Sequence, residues 1–128
     1  MNYQENEDCI AVCLGCASFC NHTALWCTDV ETHRSEMKKC IELSLECAAL
    51  CTATAQLISM GSERAKDMCR LCADVCDDCA AQCNKFNNET LIACADLCRR
   101  CSHTCRALYS QHHTGWFPGM DENRIGLN

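Results

Sequence analysis

The 128-residue chain has one proline, five glycines and only 5% aromatic residues. So little proline and glycine excludes the turn-dense scaffolds of small secreted domains. Positive charge is also short. Eleven Lys+Arg against 17 Asp+Glu leave a net charge of −6 and a pI of about 5.2, which excludes the basic surface that a nucleic-acid partner requires. The start, Met1-Asn2-Tyr3-Gln4-Glu5-Asn6-Glu7-Asp8, lacks the basic and then apolar order of a secretory leader. No unbroken apolar run approaches the roughly 20 residues that span a bilayer. These absences predict a cytoplasmic location, no membrane partner and a single domain.

Cysteine is abundant, with seventeen in the chain. In a short chain that density ordinarily signals a disulfide scaffold. An odd count cannot pair fully within one chain, and a reducing cytoplasm keeps thiols reduced. The cysteines therefore read as metal ligands before they read as cross-links.

Few places interrupt the chain. Thr32-His33-Arg34-Ser35 is polar, with Ser35 able to cap the next segment; Gly61-Ser62 pairs a helix-ending glycine with a capping serine; Asn84 to Asn88 is asparagine-rich, with Asn87 or Asn88 as a cap. Gly115-Trp116-Phe117-Pro118-Gly119 ends the last regular element. The cuts leave four segments, about 6–31, 36–60, 63–85 and 89–112, with short connections. The pattern predicts an all-α fold, an antiparallel up-down-up-down four-helix bundle over 1–114 with an irregular tail over 115–128.

The cysteines fix the period. The first segment carries Cys9, Cys13, Cys16, Cys20 and Cys27; the second Cys40, Cys47 and Cys51. The third carries Cys69, Cys72, Cys76, Cys79 and Cys83; the fourth Cys94, Cys98, Cys101 and Cys105. Every spacing within a segment is 3, 4 or 7, so the cysteines occupy two heptad positions, the stripe that faces a bundle axis. Leu14, Leu25, Leu43, Leu50, Leu71 and Leu97, with Ala17, Ala24, Ala48, Ala73, Ala80 and Ala95, lie beside the stripe and are expected to pack helix on helix. Free cysteine is a small hydrophobe, so such a bundle folds without metal.

A thiol-lined axis suits soft ions. Residues four apart on a helix have Cβ atoms about 5–6 Å apart, and two thiolates on opposite sides of one ion stand about 4.6 Å apart for bonds near 2.3 Å. Seven C-x-x-x-C pairs meet this requirement: Cys9/Cys13, Cys16/Cys20, Cys47/Cys51, Cys72/Cys76, Cys79/Cys83, Cys94/Cys98 and Cys101/Cys105. Cys27, Cys40 and Cys69 remain to complete sites across helices. Soft thiolates select Cu(I), and one Cu(I) per thiolate leaves a neutral interior, whereas one Zn²⁺ per four thiolates leaves each site at −2. Cys76-x2-Cys79-x18-Cys98-x2-Cys101 has the spacing of a zinc ribbon, but a ribbon places turns at its pairs and these lie within helical periodicity. A zinc or general soft-metal buffer and a redox-responsive thiol protein are the alternatives. Nothing in the chain marks an enzyme.

The stripe has two ends. Val30, Met37, Phe86 and Leu91 plug one. Asn6, Thr54, Ile58, Ala65, Leu108 and His112 form a smaller, more polar one, where the metal entrance is expected with His112 as a mouth ligand. The plainer reading of His112 is a solvated residue at a fraying helix end. His113 is off the stripe. Met60, Met68 and Met37 are packing residues that carry a soft sulfur. His22 and His103 fall on the outer face, and Phe19, Trp26, Trp116 and Phe117 have no place on the axis, which suggests a homo-oligomer.

Over about residues 6–112, the repeated C-x-x-x-C and C-x-x-C spacing on all four segments, with a histidine near the end of the fourth, resembles the cytosolic copper storage proteins. The resemblance implies a bundle that binds many Cu(I) ions through the seventeen cysteines, assembles as a tetramer, and stores or buffers copper; a copper chaperone is a candidate partner that the sequence does not name. Ser44, Thr54 and Thr23 stand where the stripe has room for cysteine.

Overall fold

The computed structural model describes residues 3–29 and 34–114, apart from the side chains of 34–35 and 111–114. Four helices, α1 (Tyr3–Asp29), α2 (Arg34–Met60), α3 (Ala65–Cys83) and α4 (Glu89–Thr114), make up the described chain, and no strand occurs among the described residues. Each helix packs on its neighbours in sequence, and α1 closes the ring against α4. Sulfur contacts fix the direction of the chain. Cys9, Cys13, Cys16 and Cys20 of α1 meet Cys105, Cys101, Cys98 and Cys94 of α4, so one helix ascends as the other descends. Along α2 and α3 the same order runs Cys51–Cys72, Cys47–Cys76 and Ser44–Cys79. This is the antiparallel up-down-up-down bundle that the spacing predicts.

The connections arise from local chemistry. Gly61 takes φ +67°, a left-handed conformation that favours glycine. It lets Ser62 N donate to Leu57 O and Gly61 N donate to Ile58 O, satisfying the last carbonyls of α2. The Ser62 hydroxyl accepts from Arg64 N at 3.1 Å and so helps turn the chain into α3. The Asn88 side chain accepts from Leu91 N at 3.1 Å, which caps α4. α2 begins at Arg34, one residue ahead of the expected Ser35 cap. The tail expected over 115–128 lies outside the described residues, as do Val30, Trp116 and Phe117.

The helix contacts depart from the sequence expectation in one respect. Ala17, Ala24, Ala48, Ala73, Ala80 and Ala95 are buried, and each directly follows an inward-facing Cys or Thr. Leu14, Leu25 and Leu71, by contrast, are exposed. The expectation that leucines and alanines share the packing holds for Leu43, Leu50 and Leu97 and is corrected for Leu14, Leu25 and Leu71. A core of short thiols draws the helices together, and methyl groups fill most of the edge next to the axis. Leu14, Leu25 and Leu71 lie on outward positions of the heptad, whereas Leu43 is buried and Leu50 and Leu97 are half-buried.

Stretches of 18 residues within α1 and α2 have mean hydropathies of 1.4 and 1.3, and both helices are long enough to cross a membrane. The apolar runs themselves stay short, because charged and polar residues interrupt each one while the average over a longer stretch is high. Much of that hydropathy belongs to cysteines directed at the bundle interior, so it does not describe a lipid-facing surface.

Candidate metal centre

All seventeen cysteines are buried, each at 0–1% relative exposure, and all are unpaired thiols. Helix periodicity alone brings two of the expected C-x-x-x-C pairs to 3.9 Å, Cys16/Cys20 and Cys47/Cys51. The shorter contacts cross between helices: Cys47–Cys76 at 3.4 Å, Cys13–Cys105 and Cys51–Cys72 at 3.6 Å, and Cys51–Cys101 at 3.7 Å. The site is thus built chiefly by the bundle and only in part by single helices.

The register stacks these residues in layers. Cys9, Cys69 and Cys105 share a layer with Thr54. Below it lie two layers of four thiols, Cys13/Cys51/Cys72/Cys101 and Cys16/Cys47/Cys76/Cys98. Next come Cys20, Cys79 and Cys94 with Ser44, then Cys40 and Cys83 with Thr23 and Leu91. Cys27 stands last, beside the Met37–Phe86 end. The thiols therefore thin from four to one toward that end. The three hydroxyl residues singled out in the sequence fill the gaps. Thr23 donates to Phe19 O at 2.9 Å and Thr54 to Leu50 O at 2.7 Å, so both are satisfied within their own helix. Ser44 Oγ lies 3.8 Å from Cys79 Sγ and remains part of the thiol network.

Four groups of four sulfurs lie with all members within 4.8 Å: Cys13/Cys72/Cys101/Cys105, Cys16/Cys20/Cys47/Cys98, Cys16/Cys51/Cys76/Cys101 and Cys20/Cys79/Cys94/Cys98. Cys16, Cys20, Cys98 and Cys101 each belong to two groups. Four separate tetrahedral ions would need private ligand sets, whereas these groups share corners. Shared thiolates bridge neighbouring ions, an arrangement suited to clusters of soft monovalent metal. Linear coordination, with sulfurs about 4.6 Å apart, requires the observed 3.4–4.0 Å contacts to open by about 1 Å. Small χ1 adjustments supply that.

Burial shapes the acid–base chemistry. It pushes the Cys27 thiol up to about 11, with negative charge at Cys40 adding to the effect. Elsewhere, hydrogen bonds from neighbouring thiols lower some pKa values, as Cys83 does for Cys40 and Cys20 does for Cys94, and raise others, while burial opposes ionisation, so each ion that enters displaces the protons that remain.

The structure places the other expected residues at the two ends and on the outer surface. Met37 is buried, Leu91 is fully buried and Phe86 half-buried, so that end is plugged with apolar groups. The opposite end is less polar than expected, because Ile58, Ala65 and Leu108 are buried there. Asn6 is half-buried, and its Oδ1 is enclosed without a hydrogen-bond partner. His112 and His113 fall in the last turn of α4, where their side chains are outside the described residues. His22 and His103 are exposed, as their position predicts. Phe19 and Trp26 are half-buried against the core rather than free on the surface. Met60 is exposed and Met68 half-buried.

The sequence did not reveal a cleft of about 390 Å³ between α3 and α4, lined by Lys66, Cys69, Arg70, Asp74, Cys105, Arg106, Tyr109 and Ser110. Its residues are far apart in the chain, and only the helix register unites them. Arg106 clamps its inner edge, reaching Asp74 at 2.9 Å, Asp77 at 2.8 Å and the Ser102 hydroxyl.

Comparison with known proteins agrees with this geometry. The family model for copper storage proteins matches residues 2–110. An uncharacterized cysteine-rich protein of Bacillus subtilis is 34% identical over 105 residues, covering 82% of this chain and 96% of its own length. A Cu(I)-bound copper storage protein of Bacillus subtilis superposes with a TM-score of 0.75 at 34% identity, over 81% of this chain and 97% of that one. A cytosolic copper storage protein of Streptomyces lividans, captured during copper loading with five coppers, gives 0.79 at 31% identity over 84% of this chain and 93% of that one. With its cysteine-lined bundle and these matches along most of its length, the chain belongs to the copper storage protein family.

Proposed function

We propose that this chain stores or buffers Cu(I), holding many ions along the bundle axis as thiolate complexes of the seventeen cysteines, Cys9 through Cys105. The carrying observation is the burial of every thiol along one axis, with twelve of them in four-sulfur groups that share corners. Copper in the +1 state matches both the softness of sulfur and the charge of one thiolate, so a filled interior stays near neutrality. His112, which continues the stripe of α4, serves as a further ligand at the mouth. The chain acts in the cytoplasm without catalysis, exchanges copper with a chaperone, and assembles as a tetramer, with residues 1–114 as the bundle and 115–128 as an appended tail. Support for assembly comes from the exposed Leu14, Leu25, Leu45, Leu71 and Ile92.

Zinc is the second reading, because four thiols within 4.8 Å also suit a tetrahedral ion. Anaerobic Cu(I) titration against a competing chelator decides between them. The expected endpoint is on the order of one Cu(I) per cysteine, by charge balance. An endpoint near four metals per chain, with zinc outcompeting copper, overturns the copper reading. Non-reducing mass analysis tests the redox alternative, which requires reversible intramolecular bridges.

A further inference from the structure

We propose that Met37 is a metal ligand: its thioether and the Cys27 thiolate hold one Cu(I) between them at the plugged end of the bundle. The site rests on the copper-storage reading. α1 and α2 keep one register from the middle of the bundle to this end. From the Cys16–Cys47 contact at 4.0 Å, steps of three or four residues along both helices pair Cys20 with Ser44, Thr23 with Cys40 and Cys27 with Met37. Cys27 is fully buried, Met37 is 5% exposed, and both belong to one core cluster. Met37 is also the one buried methionine among the described residues, since Met60 is 66% exposed and Met68 half-buried near the other end.

Cys27 lacks the partners that the other thiols have. It belongs to none of the four-sulfur groups among the described residues, and Thr23 stands where a C-x-x-x-C partner would be. The Thr23 hydroxyl is committed to Phe19 O at 2.9 Å. Cys40, one layer further in, contacts Cys83 and donates to Gln82 O at 4.0 Å. Phe86 and Leu91, the other plug residues, carry no donor atom on their side chains. The Met37 sulfur is therefore the soft donor that the register brings to this layer.

Charge explains why a thioether suits this place. A row of thiolates that each bridge two neighbouring ions holds one Cu(I) fewer than it has sulfurs, because each terminal sulfur binds on one side only. Such a row carries one net negative charge in a dry interior, which is costly. A neutral soft donor beyond the terminal thiolate binds one more Cu(I) and brings the row to neutrality. Cys27 is the terminal thiolate of the thinning stack, and Met37 is the neutral donor. Thioether sulfur favours Cu(I) and offers Zn²⁺ no charge to balance its own. When copper arrives as its acetonitrile complex, bonds to Cys27 Sγ and Met37 Sδ form as the bonds to nitrile break. The Cys27 proton passes to buffer, copper stays at +1, and the thioether is unchanged.

The test counts bound ions by anaerobic native mass spectrometry after loading with the acetonitrile complex. Met37→Leu keeps the apolar volume, a swap that cores tolerate, and removes the sulfur. It is expected to hold about one Cu(I) fewer than the wild type, by the charge balance above. Met37→Cys returns a soft donor and is expected to regain that ion. Met60→Leu and His33→Ala are expected to match the wild type; His33 is the imidazole nearest this end in the sequence and lies outside the described residues. A second measurement needs no variant at position 37. In wild-type protein carrying ¹³C-methyl methionine, the Met37 methyl resonance is expected to shift on Cu(I) loading while those of Met60 and Met68 stay in place. An unchanged count in Met37→Leu, a loss that Met37→Cys does not recover, a loss confined to His33→Ala, or a stationary Met37 methyl overturns the site. Failure of the wild type to bind copper at all overturns the storage reading instead.

Discussion

At the scale of single residues, the contrast between cysteine and hydroxyl side chains decides capacity. Thr23 and Thr54 turn their hydroxyls back to their own helix, whereas Ser44 keeps its oxygen 3.8 Å from Cys79. Position 44 is thus a vacant corner beside Cys20, Cys79 and Cys94. Ser44→Cys is expected to complete a third four-thiol layer and raise the anaerobic titration endpoint by about one Cu(I), by the same charge balance. An endpoint no higher than wild type shows that the layers do not bind as units. The departures at 23, 44 and 54 were visible in the sequence, because a missing cysteine breaks a 3–4 spacing. That Ser44 alone stays within the sulfur network was not, since a hydroxyl's partner depends on its rotamer and on a neighbouring helix.

At the scale of the helices, the inward arc was legible because every cysteine spacing carries the same period. The bounds of α3 and α4 were legible too, since Gly61 and Asn88 act through local backbone bonds. The flanks were not. Hydrophobicity favours Leu71 over Ala73 for burial, yet Ala73 is fully buried and Leu71 is 48% exposed. Closeness of the helices, set by short thiols, outweighs hydrophobicity here. Ala95→Leu is accordingly expected to destabilise the bundle by about 1–3 kcal/mol through overpacking, while Leu71→Ala shifts stability by less than about 0.5 kcal/mol. Urea unfolding under reducing conditions measures both. A larger loss from Leu71→Ala contradicts the packing described.

At the scale of the whole molecule, metal and folding are linked through protons. Cys27 and Tyr109 have pKa values raised from 9.0 to about 11 and from 10.0 to about 12. Groups with raised native values favour the fold below their unfolded pKa and cease to do so as pH climbs through the native one. These two groups are therefore expected to lower the melting temperature of the metal-free protein as pH rises from about 9 through about 12. With copper bound as proposed, Cys27 becomes a thiolate ligand, so the fall is expected to be smaller and the melting temperature higher at every pH. Identical profiles with and without copper would sink this linkage. The bundle's topology and its sulfur axis could both be read from the chain, whereas the α3–α4 cleft could not, because Cys69 and Cys105 meet only through tertiary register. That register also leaves most sulfurs touching several others: Cys47 contacts Cys16, Cys51, Cys76 and Cys98 at 3.4–4.0 Å. Air reaching an empty bundle would find no preferred partner for any sulfur and would lock different molecules into different cross-linked isomers. Cargo is thus also a preservative, and an empty bundle exposed to oxidant is open to scrambled bridges that only thiol exchange can undo.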